Sequence, residues 1–291
     1  MKLNFKKISI DDKNIFNDFF LKSYINISEY TFVNLFSWRN SRTVEFALYD
    51  EGLIILADYL GDKYFLPPVG FNDFDRIIDK IVEYGLKIGV GNIKRLDEKH
   101  ISAIKNKDYS IIEDRDNFDY LYERSDLSNL AGRRYAGKRN LYTNFINNYQ
   151  FEFVKYEEIY KEQSLKLAKK WLDKKGDENG SLYNEYIAIS ELINNYGKLD
   201  VKGNVLIVEE KVVGFIFGEK LNDNSFVIHF EKGDGDFKGV YQTINKLFAE
   251  REIDKNIEFI NREQDLGISG IRRAKESYYP VKMIKKYSLS F

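Results

Sequence analysis

The chain has no cysteine, and among its 291 residues only three prolines, two histidines, two tryptophans and two methionines. Without cysteine there is no disulfide framework, no thiolate nucleophile and no thiolate-held zinc. His100 and His229 fall in different halves of the chain. That separation argues against a His-based metal site or a Ser-His-Asp triad, and no metal is expected. Scarce proline and the lack of any low-complexity tract leave little room for a disordered linker. No run approaches the roughly 18 apolar residues that span a bilayer. Met1 leads straight into the charged segment Lys2 to Lys7 with no apolar leader core. A cytoplasmic protein without a transmembrane segment is expected, with peripheral membrane contact left open. An excess of one charge is missing too: 45 Lys and Arg stand against 46 Asp and Glu, for a net charge of −1. A polyanion therefore has no global attraction to this protein and must meet a local patch.

Aromatic residues are abundant at 15%, with 21 Tyr and 22 Phe. They suffice for two cores in domains of about 145 residues each. Hydrophobic periodicity predicts, in the first half, a strand over 3–8, a helix over 12–23, strands over 43–49, 53–58 and 64–66, and a helix from Phe74 carrying Ile77, Ile78, Ile81 and Val82. A strand over 86–90, a helix over 96–105 and strands over 109–113 and 120–123 complete that half. The second half reads as strand 151–155, helices 159–172 and 182–196, hairpin 205–208 with 212–219, strand 226–231, helix 238–251, strand 257–261, helix 268–277 and strand 281–289. Both halves give the same order, so the expected fold class is α/β with mixed sheets in two tandem domains. Residues 1–125 form the first domain, 126–150 a basic connector helix and 151–291 the second, which holds the candidate site. This order resembles the Gcn5-related N-acyltransferase (GNAT) fold, in which the fourth and fifth strands splay apart to admit an acyl donor.

Five segments carry a second resemblance: SEYTFVNLFSWRN (28–40), YFLPPVG (64–70), GKRN (137–140), HFEKGDGDFKGVYQTIN (229–245) and FINREQDLGISGIRRAKESYYPV (259–281). They are similar to a small bacterial family spanning the whole chain, itself similar to the soluble C-terminal domain of phosphatidylglycerol lysyltransferases, the lysylphosphatidylglycerol synthases. The resemblance implies an aminoacyl or acyl transferase. Its donor would be an aminoacyl-tRNA, bound at the tRNA 3′ end, and its acceptor a lipid head group or small amine. A coenzyme A thioester is the alternative donor, and a non-catalytic binding protein that kept the fold is the other reading.

The residues themselves place the chemistry late in the chain. A helix between two strands makes those strands parallel neighbours, so Glu231 and Asn261-Arg262-Glu263 are expected at one sheet edge, where open α/β sheets bind ligands. Glu231 and Glu263 are the candidate proton acceptors; the alternative for Glu231 is an ion pair that holds the sheet end. Period-two alternation puts His229 on the face of Glu231, as a hydrogen-bonded core histidine. Lys232, Asn261, Arg262, Gly267, Gly270, Arg272, Arg273 and Lys275 form the candidate substrate and phosphate set. Within it Asp265 caps a helix whose amides face the ligand, and a solvated cationic face is the bland alternative. Between strand and helix, Gly233-Asp-Gly-Asp-Phe-Lys-Gly239 places two acids where coenzyme A users carry a cation, which argues against that cofactor. Arg133, Arg134, Tyr135, Lys138 and Arg139 mix cations with an aromatic ring as RNA ends favour, or simply salt-bridge a connector helix. The first half offers no matching site: Pro67 and Pro68 remove two N–H donors, and Trp38 reads as core.

Overall fold

The computed structural model describes residues 3–23, 25–105, 108–175 and 180–291; Lys2, at the head of the first expected strand segment, lies outside them. The chain divides into two compact units. One comprises 1–119, 264–272 and 283–291, the other 120–263 and 273–282.

In the first unit the chain runs β1 (Lys6–Lys7), α1 (Lys13–Ser23), α2 (Phe32–Trp38), β2 (Thr43–Tyr49), β3 (Gly52–Tyr59), β4 (Asp62–Phe65), α3 (Phe74–Ile88), β5 (Asn92–Leu96), α4 (Glu98–Ala103) and β6 (Ser110–Glu113). The strand expected over 86–90 is the end of α3. Its apolar stripe continues through Gly85, and the helix stops at Gly89, whose left-handed backbone (φ 74°) lets its N–H reach the Gly85 carbonyl. Ile77, Ile78 and Ile81 pack with Ile54, Phe65 and Ile93 as the core on this side of the sheet. β4 and β5 are parallel, but they share a single rung, Phe65 opposite Ile93.

A charged cluster is buried in the same unit. Lys286 Nζ lies 2.5 Å from Glu29 and 2.7 Å from Asp119, with both Ser28 groups donating to Asp119. Arg95 Nε reaches Glu29 at 2.9 Å and Gln264 donates to the same carboxylate. Burial alone would raise the Glu29 carboxyl, but Lys286 and Arg95 hold it down to about 2. Asp119 shares one cation with that carboxylate, so burial pushes it above its ordinary value.

The chain then runs through β7 (Asp119–Glu123), α5 (Arg124–Asn129) and α6 (Ala136–Asn148), which from Tyr120 on lie in the second unit. It continues through β8 (Phe151–Lys155), α7 (Lys161–Lys175), α8 (Ser181–Asn194), β9 (Lys202–Val208), β10 (Lys211–Lys220), β11 (Ser225–Gly233), α9 (Val240–Arg251) and β12 (Phe259–Asn261); α10 (Ser269–Glu276) and β13 (Lys282–Ile284) are each divided between the units, after Arg272 and after Lys282, and the chain ends with β14 (Tyr287–Ser290) in the first. The single connector helix expected over 126–150 is broken into α5 and α6, because Leu130 (φ 51°) and Gly132 (φ 80°) turn the backbone left-handed. The final strand expected over 281–289 is likewise two strands, interrupted at Lys285 and Lys286.

Sheet membership departs from the half-and-half division of the sequence. One sheet has the order β1-β2-β3-β4-β5-β14-β6, the other β13-β7-β12-β11-β10-β9-β8. Each parallel pair, β4 with β5 and β11 with β12, is thus followed by an antiparallel strand taken from the other half: β14 beside β5, and β7 beside β12. The strand expected over 120–123 is β7, yet its partners lie some 140 residues on, at Phe259 to Asn261.

Candidate functional site

β11 positions the site. It runs to Gly233, but it pairs with β12 only at Ser225, Phe226 and Val227, opposite Phe259, Ile260 and Asn261. Past that point the strands part. Arg262 and Glu263 instead bond with Tyr120, at 3.0 Å from Arg262 N–H and 3.2 Å to the Glu263 carbonyl. The buried Asn261 side chain accepts the Glu263 N–H at 2.8 Å, and Glu263 takes a left-handed backbone (φ 54°) that turns the chain out of the sheet. The strand–helix–strand reading therefore brought Glu231 and 261–263 together at one opening in this sheet.

Two side-chain bridges span that opening. His229 sits between carboxylates, Nε2 2.8 Å from Glu219 and Nδ1 2.7 Å from Glu263. Burial would lower the imidazole, but hydrogen bonds to the two glutamates raise it to about 9, so it is a cation that donates to both. Glu231 forms the second bridge: its Oε2 accepts from Arg262 Nη2 at 3.1 Å and from Asn245 Nδ2 at 3.0 Å. The Arg262 guanidinium lies 4.9 Å from the Tyr278 ring and 5.7 Å from that of Tyr122. Burial raises both phenols, Tyr278 to about 12, so neither acts as a base near neutrality. Two buried atoms at this bridge, Arg262 Nη1 and Asn245 Oδ1, have no hydrogen-bond partner among the described residues. A buried donor and a buried acceptor left unsatisfied each cost free energy until a water or a ligand group meets them.

The other predicted residues are placed elsewhere. Lys232, one step along β11, points to the opposite face. There it is buried over the Trp171 ring at 3.6 Å and paired with Glu185 at 2.8 Å. Lys275 donates to the carbonyls of Arg262 and Glu263 and so ties α10 to the end of β12. Arg272 falls in the first unit, held by Asp265 at 2.9 Å and Asp116 at 2.8 Å, with Arg115 also on Asp265. Asp265 accepts the Gly267 N–H, so the head of α10 carries its own carboxylate. Gly267 is occupied in the same way: a Cβ there would meet the Asp116 carboxylate at 2.8 Å. Gly270 and Arg273 are exposed. The set expected to grip one anion is therefore divided, with Arg262 the member left at the opening.

The connector cations also find protein partners. Arg134 pairs with Asp126 at 2.6 Å, Arg139 donates to the Leu130 and Gly132 carbonyls, and Lys138 donates to Ser277. Tyr135 is fully buried, its hydroxyl on Asp126 and the Tyr278 carbonyl, which removes it as a stacking platform; Arg133 is exposed. In the 233–239 loop, Lys170 bridges Asp234 and Asp236, and Lys174 joins Asp236. Sequence reasoning missed Asn245 and Glu219. The signal for Asn245 is a polar residue on the buried stripe of α9 between Ile244 and Leu247; for Glu219 it is an acid at the end of an otherwise apolar strand.

A family model described as phosphatidylglycerol lysyltransferase, C-terminal, matches residues 23–290. A conserved protein of unknown function from Bacteroides thetaiotaomicron is 32% identical and superposes with a TM-score of 0.93, each chain covered in full. The L-PGS from Bacillus licheniformis shares the fold at 14% identity, with a TM-score of 0.68 over 98% of this chain and 92% of that one. A tandem GNAT protein from the clavulanic acid biosynthesis pathway, at 6% identity, has a TM-score of 0.51 over 99% and 98% of the chains. The architecture is therefore tandem GNAT-like, as the order of elements led us to expect, and among the described residues no helix is long and apolar enough to cross a membrane. The chain belongs to the family of the phosphatidylglycerol lysyltransferase C-terminal domain.

Proposed function

We propose that this protein is an aminoacyl transferase that takes its acyl group from a charged tRNA and passes it to a lipid head group or small amine at the opening between β11 and β12. The observation that carries the reading is the pair of unsatisfied atoms there, Arg262 Nη1 and Asn245 Oδ1, beside the Glu231 carboxylate. An ester carbonyl oxygen placed on Arg262 Nη1 would gain a charged donor as it becomes an oxyanion. An attacking amine or hydroxyl placed on Asn245 Oδ1 lies beside Glu231, which takes its proton as the new C–N or C–O bond forms and returns it to the departing ribose oxygen. Glu263 is the weaker base, since the His229 cation already occupies it. Family membership supports the aminoacyl donor.

Coenzyme A is disfavoured by the geometry of α9. A Cβ at Gly239 would lie 2.1 Å from the Leu141 carbonyl, so α6 covers the helix start where pyrophosphate would otherwise sit on bare amides. The test is transfer of labelled amino acid from a mixed aminoacyl-tRNA pool to phosphatidylglycerol vesicles or to a small amine. Wild type is expected to discharge the pool. Glu231→Gln should lower the rate by about 10²–10⁴-fold and Arg262→Gln by about 10²–10³-fold. A protein that discharges no aminoacyl-tRNA, yet is stabilised against heat by acetyl-coenzyme A, would overturn the proposal.

A further inference from the structure

The first unit carries a second opening, which the transferase reading does not use. β4 and β5 part after one rung just as β11 and β12 part after three, and a small pocket lies there. Its walls include Tyr64 and Leu66 from the β4 side, Arg95 from β5, Trp38 and Asn34 from α2, and Arg42 just beyond α2. The segments 28–40 and 64–70, singled out in the sequence, supply Glu29, Asn34, Leu35, Trp38, Tyr64 and Leu66, six of its ten lining residues.

The charges of this pocket are unevenly satisfied. Glu29 is spoken for by Lys286, Arg95 and Gln264. Arg95 is itself fixed between Glu29 and Asp114, on a left-handed backbone (φ 71°) that a side-chain-bearing residue adopts only under constraint. Arg42 is different. Its guanidinium lies over the Trp38 ring at 4.6 Å and near that of Tyr59 at 5.3 Å, and its buried Nε has no hydrogen-bond partner among the described residues. A buried donor on a permanent cation, stacked between rings and facing apolar walls of Leu35, Val44, Ala57 and Leu66, asks for an oxyanion on a short apolar stem. An ammonium group would find no open carboxylate, because Glu29 already receives its donors.

We propose that this pocket is a binding site for a small oxyanion with an apolar body, a carboxylate or a phosphate monoester, gripped by Arg42 and walled by Trp38 and Tyr64. It is independent of the β11–β12 site, so neither proposal depends on the other. The sequence has two tryptophans, and Trp171→Phe leaves Trp38 as the sole indole reporter in the full-length chain. Titration of its fluorescence with n-butyrate and with n-butyl phosphate separates the two oxyanions, and n-butyramide serves as the neutral control. Saturable binding of at least one anion is expected, with no saturation by the amide. Arg42→Met keeps the stacked stem and removes the charge; it should weaken that binding at least tenfold while the melting temperature of the unliganded protein stays the same or rises. Absence of saturation by both anions, an equal response to butyramide, or an unchanged Kd in Arg42→Met would each overturn the proposal.

Discussion

At the scale of single residues, the two buried ion clusters make opposite predictions about pH. His229 is raised to about 9 by Glu219 and Glu263. A cation whose folded pKa exceeds its unfolded one contributes its stability in full below the unfolded value, about 6.5, and loses it as pH climbs through the folded value. Denaturant unfolding should therefore show wild type losing on the order of 3 kcal/mol between pH 6.5 and 9.5 from this group, with a shallower slope in His229→Gln. Lys286 is the reverse case. It is fully buried between Glu29 and Asp119, so Lys286→Met leaves two carboxylates facing each other and should cost about 3–5 kcal/mol at neutral pH. In that variant the carboxyls are pushed up, so stability should partly return as pH falls and they take up protons. In wild type Glu29, held near 2, loses its contribution as pH falls through that value. Urea midpoints of the two proteins at pH 4.5 and 7.5 should converge at the lower pH. Sequence alone marked Glu231, Arg262 and His229, because each breaks an apolar strand or ends one. It gave no hint that Lys286 is buried, since nothing local distinguishes Lys286 from Lys285, which is half-exposed.

At the scale of elements, glycines separate packing from ligand access. Gly239 has φ 94° and its missing Cβ faces the Leu141 carbonyl at 2.1 Å, so it lets α9 lie against α6. Gly239→Ala must strain both backbone and contact and should destabilise by about 2–4 kcal/mol in thermal unfolding. Gly270 stands in α10 with nothing within 4 Å, so Gly270→Ala should be neutral or stabilising by up to about 1 kcal/mol. If Gly270 instead admits a phosphate, the alanine variant will lose activity without losing stability. In the sequence Gly270 read as a member of the phosphate-binding set and Gly239 as the end of the loop before a helix, with nothing local to show which of them faces backbone. The same limit explains the misplaced fifth strand of the first unit. Leu86 to Val90 is apolar enough for a strand, and only the continuation of the α3 stripe through Gly85 to the Gly89 cap decides for helix. Periodicity over long amphipathic segments was legible; short apolar runs were not, because helix and strand bury five residues equally well.

At the scale of the whole molecule, neither unit is a continuous piece of chain. Local pattern read strands over 120–123 and 281–289 but carries no information on partners at long separation, and the strands found there, Asp119–Glu123 and Tyr287–Ser290, are both used by the sheet of the other half. A break after residue 125 would strip β14 from between β5 and β6, exposing the backbone groups along Asn92–Leu96 and Ser110–Glu113 that pair with Tyr287–Ser290. It would likewise remove β7 from β12, opening Phe259 to Asn261 and with it the turn that places Arg262 and Glu263. Unpaired strand edges flanking a core cost several hydrogen bonds and expose apolar faces to aggregation. The fragments 1–125 and 126–291, expressed singly, are therefore expected to give broad, non-cooperative melts by circular dichroism. Expressed together, each supplies the strand the other lacks, and they should copurify and recover a sharp transition. A native-like cooperative melt of 126–291 alone would show that β7 is dispensable to its sheet and that the exchange of strands contributes little to folding.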